Sequence, residues 1–435
     1  MYLAKTTLLT VAVLFAGALF AEPTTLAAST NEKSVVKNYT TIAHAIYLDS
    51  LITAKALQKT IDAFINQPNA NTQQAAKDAW IAARVPYQQS EVLRFGNPIV
   101  DDWEGQVNGW PLDEGLIDYV DSSYEHEMGN VGATANIIAS PQLNLGDATL
   151  DLSTITPEIL ASLNELAGSE ANVATGYHAI EFLLWGQDLN GTGTGAGQRP
   201  FSDYLVGTGC TNGNCDRRVA YLVAAIQLLV NDLENMTQQW EVQPKIGQQE
   251  TPEKKANYRT RLLAQSSTEG LTKMLYGMGS LSLGELAGER MKVALEANSS
   301  EDEHDCFSDN THFSHYYDAL GIQNIYLGQY LRIDGTVVTG PSLSSLVATV
   351  NNTLDQQTRA AFATTVAAIQ VMVDTAEHKD SPVKFDQMIA EGNRDGRKIV
   401  SDSIQALVAQ TTLLEKVAKA IGIENLNPDS ADYTL

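Results

Sequence analysis

The sequence predicts an all-α protein built from helical bundles. Along most of the chain, apolar residues recur with a helical period, whereas the alternating pattern of strands is scarce. The pairs beginning at Thr156, Thr251 and Ser381 each place proline directly after a residue suited to a helix N-cap. In chain order, the predicted helices cover residues 35–66, 72–95, 169–185, 216–240, 256–296, 312–331, 355–376 and 395–421.

Three segments interrupt the helical pattern. Residues 96–115 contain two prolines and two tryptophans, residues 186–215 are rich in glycine and threonine, and residues 298–312 are acidic. The Gly-Thr run in the second segment lacks the Gly-Lys-Ser/Thr of a phosphate-binding loop, so it indicates an ordinary loop. The polar stretch 243–255 predicts a boundary between two helical-bundle domains packed side by side. They are an N-terminal bundle, residues 29–242, and a C-terminal bundle, residues 243–435.

Residues 1–28 have the pattern of a secretory signal peptide. Lys5 precedes the apolar run LLTVAVLFAGALFA, and small residues follow through Ala27 and Ala28. This run is shorter than the roughly 20 residues of a membrane span, and no cysteine lies near the cleavage zone to carry a lipid. We therefore expect a periplasmic or secreted protein whose mature chain has no transmembrane segment.

The composition is that of an acidic globular protein. The chain has 52 Asp and Glu against 28 Lys and Arg, a formal net charge of −24. Because phosphate binding requires clustered basic residues, nucleic acid is not an expected partner.

Two of the three cysteines lie close together, in the segment GCTNGNCD. In an oxidising compartment, Cys210 and Cys215 are expected to form a local disulfide. A metal site is the alternative, although no histidine lies nearby. Cys306 is left without a predicted partner.

The helix TGYHAIEFLLWG places a polar pair among large apolar residues. His178 and Glu181 are three positions apart and therefore share one helix face. Imidazole and carboxylate together suit iron, zinc, manganese or copper, and helical bundles hold metals with such pairs. The alternative is a buried histidine that is hydrogen-bonded to a neighbouring carboxylate and binds nothing.

A second polar stripe lies in RVPYQQSEVLR. Arg84, Tyr87, Glu91 and Arg94 fall on one helix face, with apolar residues between them. The stripe is either a solvated surface or a partly buried row that needs partners. In the second case, Glu91 can ligate a metal while Arg84 orients a carboxylate.

The acidic segment EDEHDCFSDNTHFSH combines carboxylates and imidazoles. Its members are Glu301, Asp302, Glu303, His304, Asp305, Asp309, His312 and His315. The density of these groups indicates affinity for cations. An exposed acidic loop that ends in a helix cap at Ser308, Asp309 or Asn310 explains the pattern equally well.

Standard enzyme motifs are missing from the sequence. H-E-x-x-H does not occur, and the reversed H-x-x-E-H would need histidine where Phe182 stands. Neither G-x-S-x-G nor a G-x-G-x-x-G at a strand–helix turn is present. The motifs therefore favour binding over hydrolysis.

Five segments together resemble the imelysin family, which includes iron-regulated protein A. GYHAIE fits the family signature G-x-H-x-x-E, and four further segments match in order between residues 84 and 312. These are RVPYQQSEVLRFG, WPLDEGLIDY, GELAGERM and EDEHDCFSDNTH. With the N-terminal signal and the helical pattern, the resemblance covers essentially the whole mature chain.

The resemblance implies two helical bundles, export, and a site at the interface between the domains. By motif match, His178 and Glu181 carry the signature, with Glu91 as a third candidate metal ligand. The other matched positions imply further pocket residues: Arg84, Tyr87, Trp110, Pro111, Asp113, Glu114, Glu289, Ser308, Asp309 and His312. Many members of the family are lipoproteins, and the absence of an N-terminal cysteine separates this chain from them.

Two functions follow as expectations. The first is an accessory of iron uptake that binds a transition metal ion, iron or zinc, or an iron-bearing ligand, and works with iron-transport components. The second is a zinc-dependent metallopeptidase, because the family is classed with such enzymes. A peptidase requires a third protein ligand, an open coordination position and a general base. Glu91 or Asp113 can be named for the missing roles, but their spacing does not establish them.

Overall fold

A computed structural model describes residues 31–126, 129–130, 132–145, 148–243, 256–424 and 426–429. The predicted signal peptide, residues 1–28, and most of the predicted boundary segment lie outside these residues, and so does the Thr251-Pro252 pair. The all-α prediction is confirmed, because helices dominate the described chain. No helix within these ranges is long and apolar enough to cross a membrane.

Among the residues described up to residue 243, seven α-helices occur. They are α1 (Glu32–Asn66), α2 (Ala70–Gln88), α3 (Pro98–Asn108), α4 (Glu114–Ile117), α5 (Pro157–Leu163), α6 (Gly176–Trp185) and α7 (Cys215–Trp240). Short 3₁₀ turns occur at Glu91–Leu93, Leu166–Gly168 and Phe201–Tyr204. One small hairpin pairs β1 (Gln142–Leu145) with β2 (Ala148–Asp151) in antiparallel register.

The second part begins with one long, nearly continuous helical stretch. It comprises α8 (Tyr258–Ala264), α9 (Ser267–Ser280), a π-helical segment (Leu281–Val293) and α10 (Ala294–Ala297). After it come α11 (Thr311–Leu327), α12 (Leu343–Ala376), α13 (Phe385–Ile389) and α14 (Arg394–Ala420). A second antiparallel hairpin joins β3 (Gln329–Leu331) to β4 (Val337–Thr339).

The helices pack as two groups. α1, α2, α6 and α7 contact one another, and so do α11, α12, α14 and the π-helical segment. α2 and α11 pack across the junction, where a Cβ on Gly321 would lie only 2.7 Å from the carbonyl oxygen of Gln89.

Helix α1 spans both groups. Its apolar residues from Leu51 onward pack in the core of the first group, whereas those up to Tyr47 pack with α9, α11 and α12. The division at residue 243 stays a prediction, and the start of α1 belongs to the core of the later helices.

Several predicted helix limits differ from the structure. The helix predicted over 169–185 begins only at Gly176, and the one predicted from residue 355 begins at Leu343, capped by Ser342. Ser381 does not start a helix, because its N–H and hydroxyl both contact Nδ1 of His378 and close a turn instead. α13 therefore begins four residues later, at Phe385.

The disulfide joins Cys210 to Cys215 at the start of α7, with the two Cα atoms 5.8 Å apart. Cys306 is a free, half-buried thiol.

Candidate metal centre

Gly176 fixes where α6 begins. Its φ is +78°, in the left-handed region that favours glycine. A Cβ at this position would lie 2.3 Å from the carbonyl oxygen of Val107, near the end of α3. The glycine of the signature therefore lets the backbone of α6 meet α3 closely, which places His178 and Glu181 in the interior.

Both polar residues of the signature are buried and bonded to each other. His178 Nδ1 lies 3.0 Å from Glu181 Oε2. Ser308 donates its backbone N–H (2.9 Å) and its hydroxyl (2.7 Å) to the other oxygen, Glu181 Oε1. Since both carboxylate oxygens are engaged, Glu181 is arranged to orient His178 rather than to ligate a metal itself.

The second imidazole nitrogen of His178 is the unusual atom. His178 is 1% exposed, and its Nε2 has no hydrogen-bond partner among the described residues. A buried polar nitrogen without a partner costs free energy unless something binds it.

Two residues of the acidic segment, His304 and Asp305, lie near the imidazole ring of His178. One ligand atom each from His178, His304 and Asp305 lies within 4.8 Å of the other two. The rings of His178 and His304 are edge to face, with centroids 4.8 Å apart, and His304 Nδ1 lies 3.3 Å from Asp305 Oδ1. Two imidazoles and a carboxylate form a donor set that suits a transition metal ion.

Arg84 lies against the same group. Its Nη2 donates to Asp305 Oδ1 at 2.8 Å, and its Nη1 donates to Asn108. The guanidinium also lies 5.1 Å from the centre of the Tyr177 ring. The charge of Arg84 stabilises the Asp305 carboxylate and competes with any metal for it.

Burial keeps both imidazoles neutral. It lowers the pKa of His178 to about 3, with a further contribution from Arg84. Burial and then Arg290 lower the pKa of His304 well below its ordinary value. Burial raises the pKa of Asp305, but Arg84, His304 and His178 together outweigh burial, and the net pKa is well below the usual range. Neutral imidazoles beside an ionised carboxylate are the protonation states that a metal requires.

Glu91, the third ligand expected from the sequence, lies in a separate ion-pair network. Arg290 donates to Glu91 (2.7 Å), Asp318 (2.9 Å) and Glu285 (2.8 Å). Arg290 and Glu285 lie on the π-helical segment, an irregular helix of the kind that often occurs at functional sites. Glu91 is therefore not a member of the three-residue group.

Some of the remaining residues that the sequence placed in the pocket lie near this centre, and others do not. Trp110 donates its indole N–H to the carbonyl oxygen of Glu303 (2.9 Å), and its ring lies 5.3 Å from that of His304. Tyr87 is buried with its ring 4.7 Å from that of Tyr177. Trp110 therefore packs against a member of the centre, and Tyr87 packs against Tyr177, the residue before His178.

Four other expected residues are not members of the three-residue group. Asp113 accepts from Tyr124 and Asn130, and Glu114 accepts from Gln187. His312 Nε2 lies 2.9 Å from Glu377, and Asp309 is not a member of the three-residue group.

A cleft of about 380 Å³ opens beside the centre. It is lined in part by Trp110, His304, Glu289 and Arg290, together with Glu104 from α3. These residues come from both helix groups, so the cleft lies where the groups meet. Burial raises the pKa of Glu104 to about 7.

His304 and Asp305 are the members that sequence reasoning did not connect to His178. Both lie in the acidic segment that indicated cation affinity, but spacing along the chain cannot show which of its groups reaches α6. The sequence feature that pointed to them was the resemblance of the whole segment EDEHDCFSDNTH to the family motif.

Comparison with known proteins agrees with this architecture. The sequence profile described as imelysin matches residues 43–414. The fold resembles an iron-regulated protein A precursor from Parabacteroides distasonis, with a TM-score of 0.64 and 19% identity. It also resembles an imelysin-like protein from Psychrobacter arcticus, with a TM-score of 0.58 and 15% identity. Each alignment covers 92% of this chain and 98% of the other.

No curated protein matches the sequence significantly. Because the profile spans most of its length, this chain belongs to the imelysin family.

Proposed function

We propose that the protein binds a transition metal ion, or the iron of an iron-bearing ligand, through His178, His304 and Asp305. When an ionised Glu181 accepts from the N–H of His178 Nδ1, the lone pair of Nε2 is free for the metal, although burial raises the pKa of Glu181. The observations that carry the proposal are the buried Nε2 of His178, which has no partner among the described residues, and the grouping of one ligand atom each from His178, His304 and Asp305 within 4.8 Å.

The name of the Parabacteroides relative supports iron as the metal. The donor set alone accommodates iron or zinc equally. The cleft lined by Trp110 and His304 is large enough to admit more than a bare ion. We infer an exported accessory of iron uptake, in which the cleft receives the ligand and iron-transport components take it up.

Arg84 sets the strength expected of such a site. A metal that binds Asp305 must share that carboxylate with the guanidinium of Arg84. The positive charge of Arg84 repels the metal ion and weakens its binding. This arrangement favours reversible binding, as an uptake accessory requires, over permanent retention.

The geometry favours binding over peptide hydrolysis. A zinc peptidase needs a general base beside the metal. The candidates from the sequence are engaged elsewhere, Glu91 by Arg290 and Asp113 by Tyr124 and Asn130. Both oxygens of Glu181 are also occupied.

Isothermal titration calorimetry tests the proposal. The titrants are Fe²⁺ under anaerobic conditions and Zn²⁺, against the wild type, His178→Ala and His304→Ala. We expect both variants to lose binding while His378→Ala, which removes an exposed histidine, retains it. Unchanged affinity in a folded His178→Ala variant would remove the proposed site. Incubation with unfolded substrates and Zn²⁺ measures the peptidase alternative, and activity lost with His178 would support that alternative instead.

A further inference from the structure

The cleft beside the metal centre is strongly acidic. Of the described residues that line it, two are basic, Arg94 and Arg290. Six are acidic: Asp101, Glu104, Glu165, Glu170, Glu285 and Glu289. Burial raises the pKa of Glu104 to about 7, but the acidic groups outnumber the arginines by five to two even when Glu104 is protonated. The lining of the cleft therefore carries a net negative charge.

Both arginines of the cleft are already paired with carboxylates. Arg94 pairs with three carboxylates of the lining, which belong to Asp101 (3.2 Å), Glu104 (3.4 Å) and Glu285 (3.7 Å). Arg290 pairs with Glu285 (2.8 Å) and with two carboxylates outside the lining. An anionic group on a ligand would therefore have to displace a carboxylate of the protein to pair with either guanidinium.

The acidic residues of the lining come in pairs from three separate segments. These segments are α3, the loop after α5 and the π-helical segment. Asn164, at the start of that loop, donates its side-chain amide to the carbonyl oxygen of Gly105 in α3 (3.0 Å). Arg94 joins α3 to the π-helical segment through Glu104 and Glu285. These contacts hold the three segments around one space, so their charges act together on a ligand that enters it.

The cleft reaches one member of the metal centre. His304 lines it, and the His304 ring lies 4.8 Å from the ring of His178. The buried Nε2 of His178, which has no partner among the described residues, points to a ligand independently of the acidic lining. A ligand that reaches His304 from the cleft therefore does so among these carboxylates.

We propose that the cleft selects cations for this centre, either a hydrated metal ion or a positively charged metal complex. Acidic residues that line a concave surface create a negative potential, which raises the local concentration of cations and repels anions. Glu165 and Glu170 are exposed and Glu289 is partly buried, so these three act on a ligand that is still in solution. The inference rests on the proposed function, because it names the class of ligand for the same site.

The same charges exclude anionic iron carriers. Ferric citrate complexes are negatively charged, and haem carries two propionate groups. Each would bring negative charge into a cleft whose arginines are already paired, and like charges placed together oppose binding. The ligand of the proposed function is therefore narrowed to one without net negative charge.

Stopped-flow kinetics of Zn²⁺ binding test the role of the acidic lining. Trp110, whose ring lies 5.3 Å from that of His304, reports binding by its fluorescence. The test variant carries three substitutions: Glu165→Gln, Glu170→Gln and Glu289→Gln. At low salt it should bind Zn²⁺ about 10-fold more slowly than the wild type, because electrostatic steering is lost, and added salt should remove most of the difference. The matched control makes the same change in net charge at exposed positions outside the cleft and should keep the wild-type rate: Glu391→Gln, Glu415→Gln and Glu424→Gln.

Equilibrium binding of anionic carriers completes the test. Radiolabelled citrate supplied with Fe³⁺ reports retention of the intact complex, and visible absorbance reports haem binding. We expect neither carrier to show binding that depends on His178. Binding of either one that is lost in His178→Ala would overturn this inference and leave the proposed metal site in place. Equal Zn²⁺ association rates in the two triple variants would have the same consequence. If Zn²⁺, Fe²⁺ and both carriers all fail to bind, the proposed function and this inference are both wrong.

Discussion

His178 Nδ1 lies 3.0 Å from Glu181 Oε2, and Ser308 occupies the opposite oxygen of the same carboxylate. The signature pair of α6 is thus a histidine and the group that orients it. This arrangement separates the expected effects of changing each residue.

Replacing Glu181 by glutamine should weaken metal binding without abolishing it. The amide retains a hydrogen bond to Ser308 or to His178, but it no longer supplies the carboxylate that favours a proton on Nδ1. Loss of such an orienting carboxylate typically reduces metal affinity by about 10- to 100-fold. Calorimetry with Zn²⁺ measures the effect, and His178→Ala gives the reference for complete loss. If the two variants lose binding equally, Glu181 is a direct ligand after all.

Replacing Gly176 by alanine should destabilise the fold by more than its φ angle alone accounts for. The added Cβ would lie 2.3 Å from the carbonyl oxygen of Val107, so α6 must move away from α3. Gly207 is a matched control, because it has φ +89° and a Cβ added there would have nothing within 4 Å. Left-handed strain costs about 1 kcal/mol at either site. Urea unfolding should show a clearly larger loss for Gly176→Ala, and equal losses would contradict the close approach.

Arg290 should be critical for stability. Its guanidinium is 1% exposed and pairs with Glu91, Glu285 and Asp318. Arg290→Met leaves the buried carboxylates of Glu91 and Asp318 without their cation, which costs about 3–5 kcal/mol. Urea denaturation gives the difference in the free energy of unfolding.

The control for Arg290 is an exposed ion pair. Lys398 is 71% exposed and pairs with Asp402, so Lys398→Met should cost less than about 1 kcal/mol. A cost for Arg290→Met as small as that for Lys398→Met would show that the network adds little to stability.

Glu114 should make stability depend on pH near neutrality. Burial and then Glu301 raise the pKa of its carboxyl group to about 8. Because the folded pKa lies above the unfolded value, the stabilisation from protonated Glu114 is complete below the unfolded pKa and is lost as the pH rises through about 8. Glu114→Gln stays neutral, so the wild type should lose stability relative to this variant between about pH 5 and about pH 8.

Chemical denaturation at several pH values measures that difference. Glu415→Gln, on the exposed face of α14, should follow the wild-type pH profile. A wild-type profile parallel to that of Glu114→Gln would contradict the raised pKa.

The sequence by itself determined the helical architecture, because apolar periodicity is a local property that each segment carries alone. It also placed His178 and Glu181 on one face, since three residues are nearly one helical turn. The local sequence did not determine every helix limit. Ser381 had the local chemistry of a cap, but its contact with His378 turned the chain instead.

Only the tertiary structure decided what the polar groups do. Glu91 has a carboxylate of the kind that ligates metals, yet Arg290, from a distant helix, pairs with it and neutralises its charge. His304 and Asp305 reach His178 because the acidic segment folds back across α6, and Ser308 from that segment turns Glu181 from a candidate ligand into an orienting group. A buried charge or imidazole takes its role from the groups that replace water around it. In this fold those groups come from distant segments, so their identity depends on how the two helix groups pack.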